Sequence, residues 1–119
     1  VAVLDSAMQR LSDDWRVHAA RGLALAALGR SGAAVREARW LQQSVVYRND
    51  AFWGPSFVGL HRAQILAQAG EADEALDEIE RMLTRPSWTS VYTLRLDPLF
   101  DPIRDHPRFQ ALLVRYGSR

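Results

Sequence analysis

Apolar positions along most of the chain recur every three to four residues, which is the spacing of one face of an α-helix. The alternating or β-branched runs typical of strands are scarce, and alanine supplies 17 of the 119 residues. The spacing predicts five helices, at residues 2–11, 15–28, 33–47, 56–69 and 72–84. Gly29 and Gly70 are expected to end the second and fourth helices, because glycine readily takes the left-handed conformation of a helix C-terminus. The fold class we expect is therefore all-α.

Two helical pairs repeat one another at a constant offset of 41 residues. Five of the identical pairs are Leu25 and Leu66, Ala26 and Ala67, Gly29 and Gly70, Ala34 and Ala75, and Glu37 and Glu78. Small residues at Gly22 or Ala63 in the first helix of each pair allow two antiparallel helices to approach closely. The repetition predicts two copies of one helix–turn–helix unit.

This repetition, over residues 14–86, resembles the tetratricopeptide repeat, although the offset of 41 exceeds the usual period of about 34 residues. The usual aromatic residues at the crossing points are replaced by Leu25, Leu66, Ala38 and Ile79. The resemblance implies a single domain, a helical-hairpin solenoid (α–α superhelix) with a C-terminal capping helix. Residues 1–12 would form a leading half-repeat, 14–47 repeat one, 52–86 repeat two and 87–119 the capping tail.

The tail, at residues 96–113, resembles the ending of tetratricopeptide regions in bacterial multidomain regulators, which carry winged-helix, adenylate-cyclase-like or protein-kinase domains. Since the chain opens at Val1 inside a helical pattern, we expect it to be a piece of such a regulator. Asp97, Asp101 and Asp105 are predicted to be helix N-caps, because the first two precede a proline and the third lies two residues before Pro107. The function implied is a non-catalytic protein-interaction module.

Tetratricopeptide stacks bind partners in the groove lined by the first helix of each repeat. The resemblance implies that six residues line this groove here: Arg16, Leu23, Phe57, Leu60, Gln64 and Gln68. The Lys–Asn–Arg clamp that several family members use for a peptide carboxylate is absent, since the central positions hold Ala19, Leu23 and Ala26. An apolar or amphipathic partner helix would fit such a groove better.

Three alternatives remain open at this stage. The chain's own tail, through Phe109, Leu112 and Leu113, is an equal candidate for part of the groove surface. A second copy of the chain could pair through Trp40 or the helix at 2–11, giving a homodimer. Trp40 lies off the apolar stripe of its helix, so it either packs on the next repeat or is an exposed contact. Lastly, the groove could hold a small ligand, as in a sensor domain.

Composition narrows the chemistry. The chain has fifteen arginines, no lysine and 14 acidic residues, which gives a net charge of +1. We treat the arginines as interleaved with the acids along the sequence. Direct nucleic-acid binding is therefore not expected. The absence of cysteine excludes disulfides and cysteine-bound zinc, and no nucleophile elbow, phosphate loop or metal-binding spacing occurs, so we predict no enzyme activity, cofactor or metal. No apolar run is long enough to span a bilayer, and a cytoplasmic location is expected, an extracytoplasmic one staying open.

The remaining polar features have simple structural interpretations. His18, His61 and His106 are expected at the surface or at helix interfaces. The acidic stretch from Glu71 to Glu80 is predicted to be a solvated helix face, with Asp77 and Arg81 forming an i,i+4 ion pair.

Overall fold

The computed structural model describes residues 15–44, 47–48, 57–84 and 90–117 and contains no β-strand within those ranges. Its elements are α1 (Trp15–Ala27), α2 (Ser31–Gln43), α3 (Gly59–Gln68), α4 (Ala72–Thr84), α5 (Val91–Leu96), a 3-10 helix (Pro98–Ile103) and α6 (Pro107–Tyr116). The expected all-α class is confirmed. The predicted helix at 2–11, with the leading half-repeat, lies outside the described residues.

Helix boundaries follow the predictions closely except where α2 ends. Helix α4 has the predicted bounds, α1 ends one residue early, and α3 begins three residues late. The prediction carried α2 on to residue 47, but it ends at Gln43, since Ser44 adopts an extended backbone with φ −66° and ψ 150°. The Ser44 hydroxyl donates to the Leu41 carbonyl at 2.7 Å and accepts from the Tyr47 N–H at 3.3 Å. Tyr47 and Arg48 are again helical, and the Arg48 N–H donates to the Ser44 carbonyl at 3.1 Å. Ser44 therefore ends α2 and caps a further helical segment.

Both hairpins turn in the same way, through a glycine with positive φ. Gly29 has φ 77° and Gly70 has φ 85°, a region that side-chain-bearing residues rarely adopt. After Gly29, the Arg30 N–H donates to the Leu25 carbonyl at 2.9 Å. The equivalent bond, from the Glu71 N–H to the Leu66 carbonyl, is also 2.9 Å. These are matching Schellman motifs, so the repeat seen in the sequence is also a repeat of backbone geometry.

Buried positions on the second helices repeat at the same offset of 41. Both α2 and α4 bury five equivalent residues: Ala34 and Ala75, Val35 and Leu76, Glu37 and Glu78, Ala38 and Ile79, and Leu41 and Met82. Helix α3 is the central element, because it contacts α1, α2, α4 and the 3-10 helix. At its contact with α1, an added Cβ at Gly22 would lie 2.6 Å from Ile65 Cδ1.

The tail forms three short elements whose caps differ partly from the prediction. Asp97 caps the 3-10 helix as predicted, accepting from the Leu99 N–H at 2.9 Å. Asp101, however, lies inside the 3-10 helix and binds Arg104, and α6 is capped by His106, whose Nδ1 accepts from the Arg108 N–H at 3.1 Å. The capping roles predicted for Asp101 and Asp105 are therefore wrong.

The close approach of α1 to α3 at Gly22 gives a test of the packing. Gly22→Val should lower the free energy of unfolding by about 1–3 kcal/mol or more, because the new side chain overlaps Ile65 and Glu37 Cβ, 3.1 Å away. Denaturant titration measures the change.

Gly32→Ala is the matched control. An added Cβ at Gly32 meets nothing within 4 Å, so the variant should be as stable as the original chain or more stable. Equal stability of Gly22→Val and Gly32→Ala would contradict this packing.

Candidate functional site

Each hairpin holds a buried arginine–glutamate pair at equivalent positions. Arg21 Nη1 lies 2.7 Å from Glu37 Oε1, and Arg62 Nη1 lies 3.1 Å from Glu78 Oε1. Glu37 and Glu78 are only 8% and 1% exposed. The two glutamates are identical at the repeat offset of 41, and so are the two arginines, which gives a sequence signal for the pair. A carboxylate buried to this degree needs charged or hydrogen-bonding partners, and the arginines supply them.

In the first hairpin, the carboxylate of Glu37 is also bound by a histidine. His18 Nδ1 lies 2.6 Å from Glu37 Oε2, and the His18 ring stacks on Trp40 with centroids 3.5 Å apart. His18 is 5% exposed and lies at the interface between α1 and α2, one of the two positions expected for it. Trp40 is half-buried and packs on the core of its own hairpin, rather than standing exposed.

In the second hairpin, Tyr47 and Arg81 complete the environment of Glu78. The Tyr47 hydroxyl donates to both carboxylate oxygens, at 2.8 and 3.0 Å, and Arg81 Nε lies 3.7 Å from Oε2. Burial raises the pKa of Tyr47, and the nearby negative charge of Glu78 raises it further. The acidic stretch is thus not wholly solvated: Glu78 is a core residue, and Asp77 pairs with Arg108 at 2.8 Å instead of with Arg81.

A polar cleft of about 180 Å³ opens beside this second cluster. Its lining residues are Gln42, Arg62, Glu74, Asp77 and Arg81. Arg62 is the buried member of this lining, donating to Gln42 Oε1 at 3.2 Å and lying 3.5 Å from Glu74 Oε2. Positive and negative groups alternate around the cleft, so they compensate one another within the chain.

The predicted groove residues lie in three different environments. Arg16 is exposed on α1, and three apolar side chains, Leu23, Phe57 and Leu60, are half-buried. Gln64 and Gln68 already have partners in the tail. The Gln64 amide donates to Asp97 Oδ2 at 2.8 Å, and the Gln68 amide donates to the Leu99 carbonyl at 3.0 Å.

The part of the tail that lies on α3 is therefore the start of the 3-10 helix. Phe109, Leu112 and Leu113, considered for this position from the sequence, are instead buried on α6, which contacts α4 and α5. Arg104 fixes the seated segment by donating to the Asp97 carbonyl at 2.8 Å and to the Arg95 carbonyl. No sequence signal indicated this seat, since it joins Gln64 to Asp97 across 33 positions of the chain and otherwise uses backbone carbonyls that any residue provides.

Helix α1 has an apolar face. Among the described residues, no part of the tail is bound to this face as the 3-10 helix is bound to α3. The residues of this open face follow helical spacing and are either exposed or half-buried: Ala20, Leu23, Ala24, Ala27 and Leu28. Leu28 is 60% exposed. At an offset of 41, Leu23 and Ala27 correspond to Gln64 and Gln68, the two residues that hold the tail. The open face is thus the apolar counterpart of a surface that binds a segment of chain.

Comparison with known proteins gives no match to this chain among family models, curated proteins or solved structures. None of the helices in the described part of the chain combines the length and apolar character needed to cross a bilayer. Within the same residues, no group of three or more His, Asp or Glu side chains is arranged to hold a metal ion.

The hydrogen bond from Tyr47 to Glu78 can be tested by deleting one hydroxyl. Tyr47→Phe should cost about 1.5–3 kcal/mol of unfolding free energy, because it removes a donor from a buried carboxylate. Tyr92→Phe, at a residue 64% exposed, is the control and should leave stability unchanged. Equal stabilities of the two variants would show that the Tyr47 bond contributes nothing.

The raised pKa of Tyr47 predicts a pH dependence of the same bond. The folded chain holds the phenolic proton more tightly than the unfolded chain does. This contribution is fully present below the ordinary pKa of 10.0 and is lost as pH rises above it. Unfolding measured from pH 8 to 11 should show the original chain losing its advantage over Tyr47→Phe above about pH 10. A constant difference across that range would contradict the assignment.

Proposed function

We propose that the chain is a non-catalytic, tetratricopeptide-like interaction module of a larger bacterial regulator. In this proposal it binds an apolar or amphipathic helix of a partner protein on the open face of α1. The regulator context rests on the resemblance of residues 96–113 to the tails of such proteins. The tetratricopeptide-like assignment is supported by two hairpins with equivalent turns, equivalent buried positions and equivalent Arg–Glu pairs.

One observation carries the choice of surface. The face of α3 that holds Gln64 and Gln68 is occupied by the chain's own tail, whereas the equivalent face of α1 has no such cover within the described residues. With Leu23 and Ala27 in place of the two glutamines, the α1 surface offers no amide donors for a polar segment. It suits apolar side chains spaced along a helix, which is a common mode of groove recognition.

The same reasoning changes the set of residues proposed for binding. Four of the expected residues remain, and two are added from the open face, Ala27 and Leu28. Those that remain are Arg16, Leu23, Phe57 and Leu60. Gln64 and Gln68 are left out because a partner would first have to displace the tail, and Phe100 anchors that tail with 0% exposure. The tail is accordingly a permanent cap on repeat two in this proposal.

The polar cleft favours this function over a small-ligand sensor. Ligand pockets usually enclose about 300–1,000 Å³ and are mostly apolar, with a few polar groups. The cleft has about 180 Å³, and all five lining residues are polar or charged. Its two arginines and two carboxylates balance in charge, although the Nε groups of Arg62 and Arg81 are buried without a hydrogen-bond partner.

Peptides selected from a displayed library of amphipathic helices can test the proposed surface. Those that bind the original chain should carry apolar residues at i, i+3 or i+4, and i+7. They should lose affinity by about tenfold or more on Leu23→Arg with Leu28→Arg, since two charges then stand in the apolar contact. Titration by fluorescence anisotropy measures the change.

Val114→Arg is the matched control, because Val114 is 77% exposed on α6, away from α1. It should bind the selected peptides as the original chain does. Circular dichroism checks that the variants keep their helices. If half-buried Leu23 proves necessary for folding, peptide binding is measured on the single variant Leu28→Arg instead. Peptides that bind the folded α1 variants with unchanged affinity would refute the proposed surface.

A further inference from the structure

The charges of the two hairpins are strongly segregated, contrary to the expectation that arginines and acids are interleaved. Residues 15–48 contain six arginines and one acid, Glu37, which is buried and already bound by Arg21 and His18. Residues 57–84 contain two arginines and six acids. A net charge of +1 for the chain therefore conceals one basic hairpin and one acidic hairpin.

Solvent positions at the repeat offset of 41 carry opposite charges. Three arginines of α2 and its N-cap have acidic counterparts on α4 and its leading turn: Arg30 and Glu71, Arg36 and Asp77, and Arg39 and Glu80. Buried positions of the same helices keep their apolar or acidic character, so the reversal is confined to the outer side. Arg36 and Arg39, and likewise Asp77 and Glu80, are three residues apart and so lie on one side of their helix. We call Arg36 and Arg39 the basic face, and Asp77 and Glu80 the acidic face.

Both faces are accessible and lie side by side. Arg39 and Asp77 have side chains 63% and 52% exposed, and Glu80 is 43% exposed. Arg39 Nη2 lies 3.8 Å from Glu74 Oε1, so the basic side chains of α2 reach the acidic side chains of α4 at the surface. On the acidic face, Arg108 contacts Asp77 at 2.8 Å and Glu80 at 3.9 Å, but this one cation cannot neutralise both carboxylates.

From this arrangement we infer that the chain self-associates as a two-fold dimer, in which the basic face of each copy lies on the acidic face of the other. A two-fold interface uses the same patch on both copies, so the patch must be complementary to itself. Adjacent faces of opposite charge meet this requirement, because each copy supplies one basic face and one acidic face to the interface. This surface differs from the open face of α1, and the inference does not depend on the proposed function.

Such a dimer should be weak and sensitive to salt. Exposed ion pairs contribute little individually, so association depends on several pairs acting together. Raising ionic strength from about 20 mM to about 500 mM shortens the Debye length from about 20 Å to about 4 Å. The dissociation constant should then rise by roughly tenfold or more.

A charge-swap experiment on the full chain tests the inference by light scattering and sedimentation. The first variant, Arg36→Glu with Arg39→Glu, makes both faces acidic, and the second, Asp77→Arg with Glu80→Arg, makes both faces basic. Each variant alone should be monomeric at low salt. An equimolar mixture should form a one-to-one heterodimer, which also shows that both variants are folded.

Arg95→Glu with Arg115→Glu is the matched control, since it makes the same change of net charge at exposed positions of α5 and α6. It should dimerise like the original chain. The inference is overturned by a monomeric original chain at low salt, by assembly that salt does not weaken, or by a mixture of swapped variants that stays monomeric. Growth beyond the dimer would overturn the two-fold arrangement, because head-to-tail contacts between the faces do not close.

Discussion

Burial of two glutamates, one in each hairpin, constrains the packing of all four long helices. An unpaired buried carboxylate costs several kcal/mol, so each glutamate must be met by cations or donors from the neighbouring helix. Arg21 and Arg62 do this from equivalent positions on α1 and α3. A change in the separation or rotation of the two helices of either hairpin would leave a charge without its partner. The Arg–Glu pairs therefore fix how the helices pack, as well as stabilising the fold.

The two buried glutamates receive their further hydrogen-bond partners from different parts of the chain, and the partners of Glu78 link the two hairpins. Glu37 receives His18 from its own hairpin, whereas Glu78 receives Tyr47 from the end of repeat one. Position 59, the counterpart of His18, is Gly59 and has no side chain to donate a hydrogen bond. Arg62 also donates to Gln42 of α2. The hydrogen bonds of Glu78 and Arg62 are therefore complete only when repeat one is in place. The described partners of Glu37, by contrast, all belong to repeat one.

Sequence periodicity anticipated what depends on local and repeated features. The all-α class, the bounds of α4 and both glycine turns follow from apolar spacing and backbone conformation, which neighbouring residues largely determine. Glu78 could not be identified as buried, because within an acidic helix its spacing alone does not distinguish it from solvated neighbours such as Glu80. The caps of the tail could not be predicted from local sequence either. Asp105 and His106 are both able to cap α6, and only tertiary packing selects between them.

The open face of α1 and the charged outer faces are separate surfaces with opposite responses to salt. Apolar burial is strengthened or left unchanged by added salt, whereas association through exposed ion pairs is screened. Leu23 and Leu28 carry no charge, and the basic face lies on α2. Helix docking and self-association can therefore occur on the same molecule without competing for residues. Ionic strength alone separates them, because only the contact through Arg36 and Arg39 depends on long-range charge.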